Sequence, residues 1–245
     1  RVPDAKTIWL FRDTLTKTNI IHKIFELFNH QLENAHFITH TGSIVDATFV
    51  DAPRQRNSRD ENAKIKVGEI PEEWGKPENA HKLAQKDTEA RWTKKGNEVH
   101  YGYKDHVKVD VDSKLITEYT VTPASVHDSH ELLKLLNKTD NELYADGAYS
   151  GAPIAEALPK NVTSHIHEKG YRGSPLTQAQ KANNRMKSKT RARIEHVFGF
   201  MTGPMHGITV RSIGIDRAAF NIGLTNFVYN LCRYEVLNRT KRVTG

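Results

Sequence analysis

The sequence predicts an α/β fold in which a mixed five-stranded sheet is flanked by helices. Segments rich in β-branched and aromatic residues are interleaved with segments of helical periodicity along the chain. Their order is three strands followed by an alternation of helices with two further strands, which is typical of a mixed sheet. At 245 residues, the chain is long enough to bury a substantial core.

The chain starts with two predicted amphipathic helices. Apolar residues recur at spacings of three and four from Thr7 to Leu32, and the pattern breaks near 16–19. Residue 1 is arginine rather than methionine, and no helix start signal precedes the pattern. Residues 1–35 are therefore expected to be the truncated end of an upstream helical region.

The first strand is followed by a polar insertion. Residues 43–50 are rich in Ile, Val, Thr and Phe, which predicts a strand. Residues 51–98 mix basic and acidic side chains with proline and glycine, so we predict an insertion from which no core is built. A segment of this kind is either a functional flap or a locally disordered arm. Its Trp74 and Trp92 either anchor it to the domain or stack on an unpaired base.

The remaining elements complete the sheet and cover it. Residues 100–111 and 115–122 alternate and are separated by a turn, which predicts a hairpin. The periodicity then predicts a leucine-rich helix ending near Asn137, a strand at 142–145, a helix at 154–158, a strand at 164–167, and helices at 178–201 and 218–236. We expect residues 36–204 to form the sheet-containing domain and residues 205–245 to form a C-terminal helical extension.

Composition excludes several classes of protein. The net charge of +7 and the pI near 9.3 indicate a polyanionic partner. No apolar run approaches the ~18 residues that cross a bilayer, and no signal-peptide pattern is present, so we expect an intracellular protein without a membrane partner. The single cysteine, Cys232, excludes an internal disulfide framework and a multi-cysteine zinc site. The sequence also lacks the Walker phosphate loop, the dinucleotide-binding glycine motif and the zinc-protease motif.

Three acidic residues depart from the pattern of the element that carries them. Asp46 alternates with apolar residues on one face of the first strand, and a buried carboxylate needs a partner or a metal ion. Asp146 directly follows the fourth strand, where open α/β sheets bind their ligands. Glu195 lies one helical turn after Arg191 in an otherwise basic helix. These acids are the candidate catalytic residues.

Each acid also has an ordinary explanation when it is taken alone. Asp46 could be a hydrogen-bonded acid in a strand, with Asp51 as a competitor for its role. Asp146 could be the first residue of an Asp-Gly turn, and Glu195 could be a surface partner of Arg191. Taken together, three carboxylates converging from two strands and a helix would bind two divalent ions about 3.5 to 4 Å apart, as in phosphodiester cleavage. Oxygen ligands favour Mg²⁺ or Mn²⁺.

Five motifs that occur in order along the chain resemble those of the DDE transposases of bacterial insertion sequences, in particular the insertion-sequence-five group. They are Val45-Asp46-Ala47-Thr48, Tyr101-Gly102-Tyr103-Lys104, Thr122-Pro123-Ala124-Ser125-Val126-His127-Asp128, Ala145-Asp146-Gly147-Ala148-Tyr149, and Arg191 with Glu195-His196-Val197-Phe198. The resemblance implies a ribonuclease H-like catalytic domain. It also implies that Asp46, Asp146 and Glu195 bind two Mg²⁺ or Mn²⁺ ions and that the enzyme cleaves and transfers DNA strands. This chain has Ser188 and Thr202 where relatives often have Tyr and Lys.

Basic and polar residues near the acids are candidates for supporting roles. Six basic residues precede Glu195 without an intervening acid, and they either form a solvated helix face or contact DNA phosphates: Lys181, Arg185, Lys187, Lys189, Arg191 and Arg193. His127 and Asp128 either cap the following helix or, with Arg191, hold the metal ligands in position by hydrogen bonds without touching the metal.

The resemblance implies double-stranded DNA as the partner, as terminal inverted repeats and as target DNA. It further implies a homodimer when two DNA ends are paired, and a bacterial cytoplasmic protein associated with the nucleoid. Two other functions stay open: a nuclease of the same fold that does not join strands, and an inactive copy that still binds DNA. A strand-transfer product separates the transposase from the nuclease, and retention of all three acids argues against the inactive copy.

Overall fold

The computed structural model describes residues 2–244 and has a six-stranded mixed sheet as its centre. The strands run in the spatial order β2–β3–β1–β5–β6, and β4 pairs with β3. Their bounds are β1 Ser43–Asp51, β2 Arg91–Lys95, β3 Glu98–Asp110, β4 Ile116–Pro123, β5 Glu142–Tyr144 and β6 Thr163–Ser164.

Helices lie before, between and after the strands. Their bounds are α1 Ala5–Lys17, α2 Ile20–Asn34, α3 Arg59–Lys66, α4 Glu72–Gly75, α5 Ala80–Leu83, α6 Leu132–Leu135, α7 Ala152–Ala157, α8 Gln178–Arg191, α9 Arg193–Thr202 and α10 Ile215–Thr244. Within residues 2–244, no helix is both long and apolar enough to span a membrane.

Strand pairing confirms the predicted mixed α/β fold, which is compatible with a ribonuclease H-like domain. β1, β3 and β4 pair antiparallel, as expected for a strand followed by a hairpin. β5 and β6 run parallel to β1, because each is reached through a connection that crosses the sheet. The two N-terminal helices are also confirmed, and their break lies at Thr18 and Asn19, where Asn19 adopts a left-handed backbone conformation.

The prediction of five strands was wrong, because the polar insertion supplies a sixth. β2 lies inside the insertion and pairs antiparallel with the first part of β3. The prediction that no core is built from the insertion was also wrong. Ala90 belongs to a core cluster with Tyr101 and Tyr103, and Trp74 is fully buried.

Trp74 is the centre of a small structure within the insertion. Its indole N–H donates to Glu61 Oε1 at 2.8 Å, and the Lys82 and Lys86 ammonium groups lie 5.8 and 5.0 Å from its ring centroid. Charged groups thus lie around this buried ring, and a count of apolar residues does not detect such burial. Trp92 is partly exposed and stands under the Arg54 guanidinium.

Three further elements differ from their predicted extents. The helix that starts at Leu132 is a single turn, because Leu136 is already extended. The predicted helix 178–201 is divided at Ala192, where the Glu195 N–H bonds to the Ala192 carbonyl three residues back. The last strand ends at Ser164 rather than His167.

Both faces of the sheet are covered. One face packs against α2, α9 and α10 through a cluster that includes Phe25, Ile44, Val197 and Tyr229. The other packs against α6 and residues near Tyr149. α2 and α10 thus contribute side chains to the core of the sheet, and the division at 35/36 and 204/205 stays a prediction.

Gly102 allows β3 to pass close to β1. A Cβ atom at this position would lie 2.3 Å from the Val50 carbonyl oxygen, and Gly102 has φ of +149°. We expect Gly102→Ala to lower the free energy of unfolding by more than about 2 kcal/mol, because the backbone of β1 would have to move. Chemical denaturation tests this. Gly96→Ala is the matched control, with positive φ but no neighbouring atom within 4 Å, and should cost about 1 kcal/mol. Equal losses would contradict the expectation.

Asp105 is a buried acid that makes stability depend on pH. It is fully buried on β3, where one carboxyl oxygen accepts from Asn226 and the other has no partner in the described part of the chain. Burial raises the pKa of Asp105 to about 7, although the Asn226 hydrogen bond opposes this. Between about pH 4 and 7 the folded protein therefore holds a proton that the unfolded chain has lost, and stability falls as the pH rises.

We expect Asp105→Asn to remove this part of the pH dependence, because an amide does not titrate. Relative to the wild type, the variant should gain stability between pH 5 and pH 8, measured as the free energy of unfolding in urea. A difference between variant and wild type that is the same at both pH values would contradict the expectation.

Candidate active site

Asp46 lies in the middle of β1, where it pairs with Val107 of β3. Its Oδ1 accepts from the Ala47 N–H at 2.8 Å, and its Oδ2 accepts from Arg191 Nη1 at 2.8 Å. Burial raises the pKa of Asp46 to about 6, against the effects of the Ala47 N–H and the Arg191 charge, while the nearby Asp146 raises it further. Asp46 is thus a desolvated carboxylate that a cation would stabilise.

Asp146 is brought beside Asp46 by strand register. The parallel pairs between β1 and β5 are Ser43 with Leu143 and Ile44 with Tyr144. Two residues further along both strands, Asp46 and Asp146 lie at the same level, just beyond the last pair. Asp146 Oδ1 also accepts from the Ala148 N–H at 2.8 Å, so Asp146 does begin the Asp-Gly turn. Asp146 therefore begins the turn and also lies beside Asp46.

Glu195 lies at the rim of this site. Its side chain is 63% exposed, and Arg191 Nη2 lies 3.9 Å from its Oε1. Arg191 therefore stands between Asp46 and Glu195. Among residues 2–244, no three His, Cys, Asp or Glu side chains are close enough to share a metal ion. The structure brings Asp46 and Asp146 together, and the Arg191 guanidinium separates Glu195 from them.

Sequence comparison gives the family of this chain. The family model of the transposase DDE domain matches residues 38–231. The chain belongs to the transposase DDE domain family. It is also similar to a chain in the cryo-EM structure of a piggyBac transposase synaptic complex with hairpin DNA, with a TM-score of 0.46 and 12% identity. This match covers 94% of the present chain and 54% of the other, so the present chain spans about half the length of that protein.

A row of buried polar residues on β3 of this transposase domain was not identified from the sequence. Lys104, His106 and Lys108 occupy alternate positions, so their side chains share one face of the strand. Two of their partners lie before and after α6: Lys104 Nζ donates to Asp128 Oδ1 at 2.7 Å, and Lys108 Nζ donates to Asp140 Oδ2 at 3.0 Å. His106 Nε2 is 2.8 Å from the hydroxyl of Thr122, on the neighbouring strand β4. Burial lowers the pKa of His106 to about 4, so the ring is neutral at pH 7. The alternation of polar residues in a strand was the available signal.

Tyr149 links this row to the acids of the transposase domain. Its hydroxyl is buried and has no hydrogen-bond partner within the described chain. Burial raises the pKa of Tyr149, and the charges of Asp46, Asp128 and Asp146 raise it further. The charges of these three carboxylates thus all act on the Tyr149 hydroxyl. His127 caps the short 3-10 helix that starts at Asp128, through a bond from the Ser129 N–H.

The six basic residues before Glu195 fall into two groups in the transposase domain. Three are engaged inside the protein: Lys187 Nζ donates to the Ile166 carbonyl, Arg191 to Asp46, and Arg193 Nη1 to the Val111 carbonyl. The other three, Lys181, Arg185 and Lys189, are exposed and make no ion pair with any described residue. Their spacing of four places them along one face of α8, which forms an exposed basic ridge.

Proposed function

We propose that this transposase domain cleaves DNA at the ends of an insertion sequence and joins the released strands to target DNA. The insertion sequence would belong to the insertion-sequence-five group. The observation that carries the proposal is the pair of Asp46 and Asp146 at the edge of β1 where β5 ends. Two neighbouring carboxylates repel each other, and one of them is buried. Both carboxylates are therefore stable in the ionised form only when a cation lies beside them.

The donor set fits a divalent ion of the kind that this family uses. Asp46, Asp146 and Glu195 offer carboxylate oxygens, which suit Mg²⁺ or Mn²⁺. Two such ions, when bound, would activate the attacking oxygen and neutralise the leaving oxygen of a phosphodiester. Arg191 would have to release Asp46 Oδ2 for that ligand to be available, and the same side chain lies beside Glu195. Asp128 would support the acids without binding the metal itself. It would do so through its hydrogen bond with Lys104 and through its charge, which acts on the Tyr149 hydroxyl.

The exposed basic ridge of α8 is suited to bind the DNA backbone. Lys181, Arg185 and Lys189 present unpaired charges on the helix that leads to Arg191 and Glu195. Each phosphate contact would make the affinity fall more steeply with salt. The DNA would be double-stranded, with terminal inverted repeats and target sites, and a homodimer in the bacterial nucleoid would hold two ends together.

A strand-transfer assay tests the proposal. Labelled duplexes made from the DNA that flanks the coding sequence are incubated with a supercoiled plasmid and Mg²⁺ or Mn²⁺. The wild type should nick the duplex and join its label to the plasmid, whereas Asp146→Ala and Glu195→Ala should do neither. All three proteins should bind the duplex in the absence of metal, because the exposed basic ridge is unchanged.

The other outcomes identify the alternatives. Nicking without joined product would replace the transposase with a nuclease of the same fold. Binding without nicking by the wild type would indicate an inactive DNA-binding copy. Nicking that persists in the Asp146→Ala protein would contradict the assignment of the acids.

A further inference from the structure

A hairpin from the polar insertion bends back onto β1 beside the acids. β2 and the first part of β3 form this hairpin, with its turn at Gly96 and Asn97. The bend is at Gly102, where β3 approaches the β1 backbone too closely for any side chain. Beyond the bend, the His100 ring lies flat on Phe49 of β1, with ring centroids 4.0 Å apart and an angle of 7° between the planes. The hairpin is therefore held against β1 by a stacked ring pair.

Lys95 is the last residue of β2 and stands at the tip of this hairpin. Its Nζ lies 5.8 Å from the centroid of the Phe49 ring, three residues along β1 from Asp46. The Lys95 charge also acts on Asp46, whose pKa it lowers. Lys95 is exposed, and no carboxylate of the described chain lies within ion-pair distance of it. A cation without an acidic partner in the described chain thus stands over Phe49 on the half of β1 that follows Asp46, close enough for its charge to act on that carboxylate.

This position suits a phosphate group. The acids Asp46 and Asp146 repel a phosphodiester, so a strand that enters the site needs a positive charge at its edge. Phe49 holds the Lys95 ammonium by a cation–π contact without neutralising it. We propose that Lys95 binds a non-bridging phosphate oxygen of the DNA strand held at Asp46 and Asp146. The proposal rests on the proposed function, since it takes the substrate to be DNA.

The neighbouring lysine gives a matched control. Lys94 is exposed on the same strand, and by the alternation of a strand its side chain points to the opposite face. Lys94→Gln and Lys95→Gln remove the same charge from adjacent residues. A general loss of positive charge would affect both variants alike, whereas a phosphate contact affects only Lys95→Gln.

The experiment measures the affinity for a labelled duplex that is already cleaved, by fluorescence anisotropy at several salt concentrations and one fixed Mg²⁺ concentration, so that the acids do not repel the strand. Lys95→Gln should reduce the slope of log K against log salt by about one, and Lys94→Gln should leave the wild-type slope. Lys95→Arg should restore the slope. Equal slopes for Lys94→Gln and Lys95→Gln would overturn the proposal.

A second measurement locates the contact. In a Cys232→Ser background, which removes the single cysteine, Lys95→Cys and Lys94→Cys proteins are mixed with duplex DNA that carries thiol tethers on its phosphates. Disulfide cross-links should form with Cys at position 95 and not at 94, and equal yields would overturn the proposal. Neither readout needs cleavage, so a wild type that binds but never cleaves would remove the proposed function while Lys95 is still judged by slope and cross-link.

Discussion

The Asp46→Asn protein should lose metal-dependent DNA cleavage by roughly 10³-fold or more. The amide keeps the shape of the side chain and removes the charge that a divalent ion needs from β1. Single-turnover cleavage of a labelled duplex measures this loss. DNA affinity without metal should be retained, since the exposed basic ridge of α8 lies on a different element.

The matched control for Asp46 is Asp51, the competing acid of the same strand. Asp51 lies at the end of β1, and its side chain is 71% exposed. Unlike Asp46, it forms no ion pair with Arg191 and does not lie beside Asp146. We expect Asp51→Asn to cleave at the wild-type rate. If Asp51→Asn lost cleavage and Asp46→Asn retained it, the acid of β1 in the site would be Asp51.

The Arg191→Gln protein should be less stable than the wild type in the absence of divalent metal. Arg191 is the cation that compensates Asp46, through a 2.8 Å hydrogen bond between partners that are 23% and 14% exposed. Removing it leaves a largely buried carboxylate with no cation in direct contact and only the weaker effect of the Lys95 charge. Because both groups retain some solvent, we expect a loss of about 1–3 kcal/mol, below that of a fully buried pair. Urea unfolding measures it.

Two comparisons make this expectation specific. Lys189→Gln removes an exposed charge from the same helix and should change stability by less than about 0.5 kcal/mol. In an Asp46→Asn background, Arg191→Gln should cost less than it does in the wild type, because the buried charge is already gone. Mg²⁺ should raise the melting temperature of Arg191→Gln more than that of the wild type, since an ion can replace the guanidinium. A variant as stable as the wild type without metal would show that the pair does not stabilise the fold.

Local patterns in the sequence predicted much of the sheet and the candidate acids. The alternation over 43–50 and the hairpin over 100–122 follow from side-chain direction in a strand, and the break between α1 and α2 follows from a gap in helical spacing. Asp46, Asp146 and Glu195 each departed from the local pattern. The sequence could not show that Trp74 is buried with two lysine ammonium groups over its ring, because only the packing decides where those groups lie.

The mixed α/β fold, the basic charge and the residue types that suit a divalent metal all follow from the sequence. Which of these residues meet depends on the tertiary structure. Asp46 and Asp146 are neighbours through the parallel register of β1 and β5, and Arg191 reaches Asp46 from a helix 145 residues away in the chain. Lys95 reaches Phe49 of β1 because Gly102 lets the hairpin bend. Such contacts depend on how distant segments pack and on how far packing removes water from a charge, and neither quantity is encoded in a local spacing.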